Sequence, residues 1–160
     1  MRLQVLAIGR LKAGPEKTLA GDYQTRIEGL GRKAGISKLS ITEFAESQSQ
    51  TANQRQDEEA RLLAGALAPK ALTLVLDERG KTMTSEAFSQ FLQRHLDRGT
   101  QDLAFLIGGP DGHSAKTRKT AGQLLSLGEM TWPHRLARVM LFEQIYRAVT
   151  IMVNHPYHRP

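Results

Sequence analysis

The stretch Leu106-Ile107-Gly108-Gly109-Pro110-Asp111-Gly112 joins an apolar run directly to a glycine-rich turn. A buried strand that ends in glycines is typical of α/β proteins, in which ligands bind at the carboxyl ends of parallel strands. Glycine permits positive φ and lets a ligand approach the main chain closely. Such a turn is nevertheless more often a plain tight connection, so its meaning depends on the rest of the chain.

Apolar runs and helical periodicities alternate on both sides of this turn. The patterns predict strands at residues 2–8, 36–44, 72–77 and 102–107, a turn at 78–81, and a short further strand at 130–132. They predict helices that begin at Pro15, run over 53–67, start at Thr84 or Ser85, occupy part of 114–127, and run from Pro133 to about Val153. The alternation predicts a single α/β domain over residues 1–160, with a mainly parallel sheet flanked by helices.

Composition and charge limit the possible function classes. A chain of 160 residues can bury a core without disulfides or metals, and no apolar run approaches the length of a membrane helix. The absence of cysteine excludes thiolate nucleophiles and fits a reducing cytosol, so we expect a cytoplasmic protein. The net charge of +6 favours a polyanionic partner, although a solvated basic surface would give the same excess.

Two further segments extend the site suggested by the glycine turn. Residues 128–133 (GEMTWP) form a second turn, and Leu76 ends another predicted buried strand. Three strand ends side by side would make a backbone-lined pocket suited to a flat heterocycle. No G-x-G-x-x-G, G-x-x-x-x-G-K-[ST] or G-x-S-x-G motif occurs, so dinucleotide, P-loop and serine-hydrolase sites have no motif support.

The carboxyl end, residues 154–159 (NHPYHR), is unusually rich in special side chains. Tyrosine and histidine can stack on an unpaired base, and arginine can bind a phosphate, which is how single-stranded RNA is recognised. His155 and His158 have a metal-ligand spacing, but no carboxylate or third ligand is nearby, so we expect no metal. This segment is called the tail below.

Three other polar features leave alternatives open. Glu143 and Arg147 can form a surface ion pair or lie at the mouth of the pocket. The polar residues 45–57 can be a mobile loop or a loop that contacts RNA phosphates. The basic side chains of residues 116–119 (KTRK) are predicted to be exposed on a short helix.

Three segments of the chain form a recognisable set, namely LIGGPDG at 106–112, the segment 126–134, and the ending EQIYRA followed by NHPYHR. Together they resemble the RlmH family of SPOUT-superfamily RNA methyltransferases. The opening RLQVLAIG and the total length also fit, so the resemblance covers the whole chain. One departure is the segment from His113 to Lys119, which is more polar than in the family.

The resemblance implies a function and an architecture. It implies methyl transfer from S-adenosylmethionine to N3 of a pseudouridine in a stem-loop of 23S ribosomal RNA, on assembled ribosomes. It also implies a SPOUT-type fold with a carboxyl-terminal trefoil knot, and a homodimer. Sequence physics alone would disfavour the knot, because true knots are nearly absent from proteins. The donor-binding residues implied by the family are Leu76, Gly109, Gly128, Glu129, Met130, Thr131, Trp132 and Pro133.

The reaction sets requirements that the tail could meet. Methyl transfer from a sulfonium needs no metal, but the acceptor nitrogen must be aligned and must lose its proton. Our hypothesis is that Tyr157, His158 and Arg159 hold the base and ease its deprotonation. A second hypothesis is that the tail of one subunit completes the site over the other subunit's cofactor. The alternatives are a non-catalytic RNA-binding or ribosome-assembly module and a small-molecule enzyme, and the proton acceptor and the exact nucleotide stay open.

Overall fold

The computed structural model describes residues 1–159, which form one five-stranded sheet and five α-helices. The strands are β1 (Arg2–Ile8), β2 (Lys38–Phe44), β3 (Leu72–Lys81), β4 (Asp102–Ile107) and β5 (Gln123–Leu125). The helices are α1 (Pro15–Gly31), α2 (Ala52–Ala66), α3 (Ser85–Asp97), α4 (Ala115–Thr120) and α5 (His134–Met152), and a 3-10 turn follows α1 at Arg32–Ala34. The strand order is β2-β1-β4-β3-β5, and all neighbours are parallel. The predicted α/β fold with a parallel sheet is therefore confirmed.

The sheet is covered on both faces because its central strands are apolar on both. All six residues of β4 are buried. Since successive strand residues point to opposite faces, Phe105 joins the larger core cluster while its neighbours Ala104 and Leu106 join the smaller one. Helix α5 packs against α1 and α3 and contributes with them to the larger cluster, and α2 contributes Leu63 to the smaller one.

Local capping explains where the helices begin. The Thr51 hydroxyl accepts a hydrogen bond from the Gln54 amide N–H, and the Gln54 side chain accepts one from the Thr51 N–H, each at 3.3 Å. This capping box starts α2 one residue before the predicted position. Of the two predicted caps of α3, the structure uses Thr84, whose hydroxyl accepts from the Ala87 N–H at 3.1 Å.

Two predictions, one of a strand and one of a turn, are wrong at one edge of the sheet. Residues 130–132 form no strand, and the fifth strand is Gln123–Leu125 instead. Leu125 is 5% exposed, whereas Met130 is 73% exposed and has no sheet partner. The predicted turn at residues 78–81 belongs to β3, because Lys81 returns to pair with Leu125 after the chain leaves the ladder at Leu76.

No helix within residues 1–159 has the length and apolarity needed to cross a membrane.

Candidate active site

A cavity of about 730 Å³ opens at the carboxyl edge of the sheet, where β3, β4 and β5 end. Leu76 pairs with Ile107 on one side and with Leu125 on the other, so the expected adjacency of the three strand ends is confirmed. The volume lies within the range of roughly 300–1,000 Å³ typical of small-molecule sites. We call this space the strand-end cavity.

Most of the residues predicted to bind a donor surround this cavity. Seven of the eight line it, namely Leu76, Gly109, Gly128, Met130, Thr131, Trp132 and Pro133. Glu129 is exposed and does not line it. The outer wall is apolar and open, since the side chains of Met130 and Trp132 are 73% and 39% exposed.

The glycine turn forms the inner wall with its backbone. The Gly112 N–H donates to the Gly109 carbonyl at 2.9 Å and closes the turn, and Gly112 has a positive φ of 73°. A Cβ at Gly109 would lie 3.0 Å from both Glu59 Oε2 and Ile8 Cγ2. Any side chain at position 109 would therefore force its neighbours to move.

Helix α2 fixes the glycine turn through a pair that is distant in sequence. The Arg55 guanidinium donates to both oxygens of Asp111, from Nε at 2.6 Å and from Nη2 at 3.0 Å. The Gln56 amide donates to the Asp111 carbonyl at 2.6 Å. Arg55 Nη1 also donates to the carbonyl of Ser49 at 2.9 Å, so the polar loop before α2 is tied to the same turn.

A buried carboxylate lies behind the glycine turn. Glu59 is 3% exposed, its Oε1 accepts from the Ser47 N–H at 3.0 Å, and its Oε2 has no hydrogen-bond partner within residues 1–159. Burial raises the pKa of this carboxyl. Sequence reasoning missed Arg55 and Glu59 as site residues. The available signal was their spacing, because Arg55 lies eight residues and Glu59 four residues before Leu63, which puts all three on the inward face of α2.

The floor of the cavity holds a buried histidine and an ion pair. His113 is 4% exposed, and burial lowers its pKa and favours the neutral imidazole. Arg118 donates to the His113 carbonyl, and its Nη1 lies 3.5 Å from Asp77 Oδ2. The prediction that Arg118 is exposed with Lys116 and Lys119 is therefore wrong, because the Asp77 carboxylate, only 6% exposed, draws it inward.

The charges that line the cavity are nearly balanced. Three carboxylates, Asp77, Glu78 and Asp111, stand beside two guanidinium groups, Arg79 and Arg118. Asp77 pairs with Arg118, and Asp111 pairs with Arg55 from behind the turn. The lining therefore carries little net charge.

Helix α5 is anchored where it leaves the cavity. His134 and Ala137 line the cavity, and the next residue, Arg138, is 1% exposed. Arg138 pairs with Glu43 and donates from Nη2 to the Gly9 carbonyl at 2.8 Å. The amino end of α5 is thus held against the carboxyl ends of β1 and β2. Burial lowers the pKa of His134, which packs against Gly9.

The tail does not enter the cavity of its own chain. Tyr157 packs on α5, where its hydroxyl donates to Glu143 Oε1 at 3.0 Å and its ring centroid lies 4.7 Å from that of Tyr146. Arg147 covers the same ring at 4.9 Å and donates to Glu143 at 2.9 Å from Nε. Burial of the Tyr157 hydroxyl raises its pKa, so the group stays protonated.

The remaining predicted catalytic residues also lie outside the cavity. His158 Nε2 is 2.9 Å from Glu86 Oε1 at the start of α3, and Arg159 is exposed. The structure therefore brings Tyr157 and His158 together on the α3–α5 surface, away from the residues predicted to bind a donor. Glu143 and Arg147 form the ion pair that was one of two alternatives, and neither lines the strand-end cavity.

Comparison with known proteins identifies the family. A family model described as "Predicted SPOUT methyltransferase" matches residues 1–158. The chain belongs to the SPOUT methyltransferase family. Curated relatives named ribosomal RNA large subunit methyltransferase H include those of Nitrobacter winogradskyi, 50% identical over 160 residues, and Rhizobium meliloti, 48% identical over 159 residues. In both, the match covers 99% of this chain and 99% of the relative. The resemblance drawn from the residues is confirmed.

Solved structures agree with the SPOUT methyltransferase fold. A probable methyltransferase from Bordetella pertussis matches with a TM-score of 0.51 at 13% identity, over 92% of this chain and 95% of that chain. A probable methylase family protein from Haemophilus influenzae matches with a TM-score of 0.50 at 8% identity, over 99% and 70% respectively. At such low identities these matches bear on the fold alone.

The strand-end cavity has the chemistry that the family's methyl donor requires. SPOUT methyltransferases use S-adenosylmethionine, whose sulfonium is positively charged. The open main chain at Gly128, where a Cβ would meet nothing within 4 Å, leaves room for a ligand. The apolar side chains of Leu76 and Trp132 offer surfaces for a flat ring. The residues present therefore fit the donor.

Proposed function

We propose that this protein methylates ribosomal RNA with S-adenosylmethionine as the donor. We further propose that the acceptor is N3 of a pseudouridine in a stem-loop of 23S ribosomal RNA, that the substrate is the assembled ribosome, and that the protein acts in the cytoplasm. The observation that carries the proposal is the backbone-lined cavity at the meeting point of three strand ends. The names of the full-length relatives support the choice of RNA.

In this proposal the cavity wall holds the donor and orients it. The donor contacts Leu76, Gly109 and the segment 128–133. Within that segment, Glu129 contacts the donor from the outer rim of the cavity. When bound, the donor supplies an electrophilic methyl group on its sulfonium sulfur. The protein must then align the acceptor nitrogen with that methyl group, and alignment alone can contribute several kcal/mol to the rate.

The tail is proposed to bind the acceptor base across a homodimer. Tyr157 and His158 contact α5 and α3 of their own chain, so they cannot also cover that chain's strand-end cavity in the same position. A second subunit would bring its own cavity to this tail. His158 and Arg159 would then ease the loss of the imide proton, while the protonated Tyr157 would hold the base by contact. The carboxyl-terminal trefoil knot remains part of this proposal.

Donor binding and methyl transfer can be tested separately. Calorimetric titration should show binding of both S-adenosylmethionine and S-adenosylhomocysteine. Ribosomes isolated from a strain that lacks this protein should gain one methyl group when they are incubated with the purified protein and S-adenosylmethionine. Mass spectrometry should map that methyl group to N3 of a pseudouridine. If neither ligand bound, the protein would be an RNA-binding or assembly module instead. Donor binding with methylation of another nucleotide would reject only the pseudouridine assignment.

The role of the tail has its own test. His158→Ala and Arg159→Ala should each lower turnover on ribosomes by roughly a hundredfold, as expected for groups that assist proton transfer. Affinity for S-adenosylmethionine should stay unchanged, because neither residue lines the strand-end cavity. Wild-type turnover in both variants would end the tail hypothesis and leave the methyltransferase proposal standing.

A further inference from the structure

A second cavity, of about 570 Å³, lies beside the strand-end cavity on the other side of the amino end of α5. It is bounded by α1, α5 and the carboxyl ends of β1 and β2. Ala137 lines the first cavity, and the next residue, Arg138, lines the second. We call this space the α1–α5 cavity.

The α1–α5 cavity carries an excess of positive charge. Its lining includes three cationic side chains, Arg10, Lys17 and Arg138, and one carboxylate, Glu43. That carboxylate is already engaged by Arg138 and by the Leu11 N–H at 3.1 Å. Arg10 and Lys17 are exposed and form no ion pair with any carboxylate of residues 1–159.

A paired arginine forms the buried wall of the cavity. Arg138 is 1% exposed, and its Nη1 and Nη2 are bound to Glu43 and to the Gly9 carbonyl. Its Nε is buried and has no hydrogen-bond partner in the described part of the chain. The exposed Arg10 and Lys17 are therefore the cationic groups that a ligand in this cavity can contact.

The position of the α1–α5 cavity relates it to the proposed reaction. Strand β1 is the direct neighbour of β4, about 4.8 Å away, and β4 carries the glycine turn of the strand-end cavity. The α1–α5 cavity therefore lies within reach of the backbone of an RNA that presents a base at the first cavity. Phosphate groups are the acceptors that arginine and lysine side chains bind most strongly in nucleic acids.

We propose that the α1–α5 cavity binds a backbone phosphate of the substrate RNA. Arg10 and Lys17 contact the phosphate at the mouth of the cavity, and the buried Arg138 keeps Glu43 paired so that this carboxylate does not repel it. The two neighbouring cavities thereby divide the work, one holding the methyl donor and the other the anionic backbone. The choice of RNA as the source of the phosphate rests on the proposed function.

The test is the salt dependence of ribosome binding by the Arg10→Gln/Lys17→Gln double variant. Each phosphate contact contributes about 0.7–0.9 to the slope of log affinity against log salt concentration. The double variant should therefore bind unmodified ribosomes more weakly at low salt, with a slope smaller by about 0.7–0.9 for the one phosphate lost. Its calorimetric affinity for S-adenosylmethionine should match that of the wild type.

A matched control removes two positive charges at the end of the sheet where the strands begin. Lys33 lies in the 3-10 turn and Lys38 begins β2, so both are remote from the carboxyl edge, and both are exposed. Lys33→Gln/Lys38→Gln should leave the slope close to that of the wild type. An unchanged slope in the Arg10/Lys17 variant, or an equal loss in both double variants, would overturn the proposal.

A further arm distinguishes RNA from a small anion. Inorganic phosphate and adenosine monophosphate are titrated into wild type and the Arg10/Lys17 variant. If either ligand bound only to the wild type while the ribosome slope stayed unchanged, the cavity would be a small-anion site and the RNA assignment would fall. Because the main readout is affinity, it remains interpretable if no methyl transfer is found. That outcome would count against the proposed function alone.

Discussion

The Arg55 guanidinium donates two hydrogen bonds to the Asp111 carboxylate, at 2.6 and 3.0 Å, and so joins α2 to the glycine turn of the strand-end cavity. These hydrogen bonds also hold the pKa of Asp111 below its usual range, so the pair stays ionised near neutral pH. The shape of the cavity wall therefore depends on a contact between residues 56 positions apart in the sequence.

Arg55→Gln should weaken donor binding without unfolding the protein. The loss of the two bonds frees the turn at Asp111, and affinity for S-adenosylmethionine should fall by roughly threefold to tenfold, as for partly exposed charged hydrogen bonds. Calorimetry measures the change. Arg61→Gln is the matched control, because Arg61 is an exposed residue on the same helix that contacts only a local carbonyl. Equal effects of the two substitutions would contradict this role for Arg55.

Glu59→Gln should change stability in a way that depends on pH. Burial raises the pKa of Glu59 above its ordinary value of 4.5, so the folded chain holds this proton more tightly than the unfolded chain. The contribution of Glu59 to stability is then greatest below about pH 4.5 and is lost as the pH rises through the folded pKa. Glutamine keeps an acceptor for the Ser47 N–H and has no charge to bury.

The measurement is thermal unfolding of both proteins from about pH 4 to about pH 8. The melting temperature of Glu59→Gln relative to the wild type should rise with pH and then level off. Each kcal/mol of penalty removed corresponds to about 2–4 °C in a chain of this size. A difference in melting temperature that does not vary with pH would show that ionisation of Glu59 does not destabilise the folded state.

Gly80→Ala should damage the edge of the sheet that borders the strand-end cavity. A Cβ at this position would lie 2.5 Å from the Leu125 carbonyl carbon and 2.7 Å from that of Leu124, both of them backbone atoms. Overpacking of this kind costs roughly 1–3 kcal/mol, measurable by urea unfolding. Gly29→Ala is the control, since a Cβ there meets nothing within 4 Å and an alanine in a helix gains about 0.5–1 kcal/mol. A Gly80→Ala variant as stable as the wild type would contradict the prediction.

The strand ends could be predicted because apolar runs that stop at glycine are a local signal. The run at 102–107 and the glycines after it gave both β4 and the inner wall of the cavity. The fifth strand could not be recognised in the same way. Its three residues, Gln123 to Leu125, show no alternation, and they form a strand only because β3 pairs with them. The segment 130–132 follows Gly128, whose φ is 131°, and Met130 and Trp132 are left exposed.

The contacts that fix the site could not be predicted, because they join segments far apart in the sequence. Nothing local in α2 indicates that Arg55 meets Asp111. The course of the tail is a second case. Asn154 adopts a positive φ of 54° after α5, and the His155 N–H donates to the Thr150 carbonyl at 2.8 Å, so the chain reverses. Tyr157 is thereby brought onto α5, a result that side-chain types alone do not specify.

Tyr157→Phe should distinguish the contribution of the Tyr157 hydroxyl from that of its ring. Phenylalanine keeps the contacts with Tyr146 and Arg147 and loses the 3.0 Å hydrogen bond to Glu143. The KM for ribosomes should rise by roughly threefold to tenfold, the usual effect of one lost bond to a charged group, while donor affinity stays unchanged. Tyr157→Ala removes the ring as well and should raise the KM further. Wild-type kinetics for Tyr157→Phe would show that the Glu143 contact does not hold the tail in its working position.

Mixed dimers test whether the tail acts on the partner subunit's cavity. One subunit lacks residues 154–160, and the other carries Gly128→Phe, which fills space that is open at this glycine. Each variant alone should be inactive on ribosomes, and calorimetry should show that only the tail-deleted subunit binds the donor. Random assortment makes half of the dimers mixed, each with one complete site, so co-expressed subunits should recover roughly one quarter of wild-type activity. Mixed dimers that form but remain inactive would show that the tail works within its own chain, which would require it to leave the α3–α5 surface during catalysis.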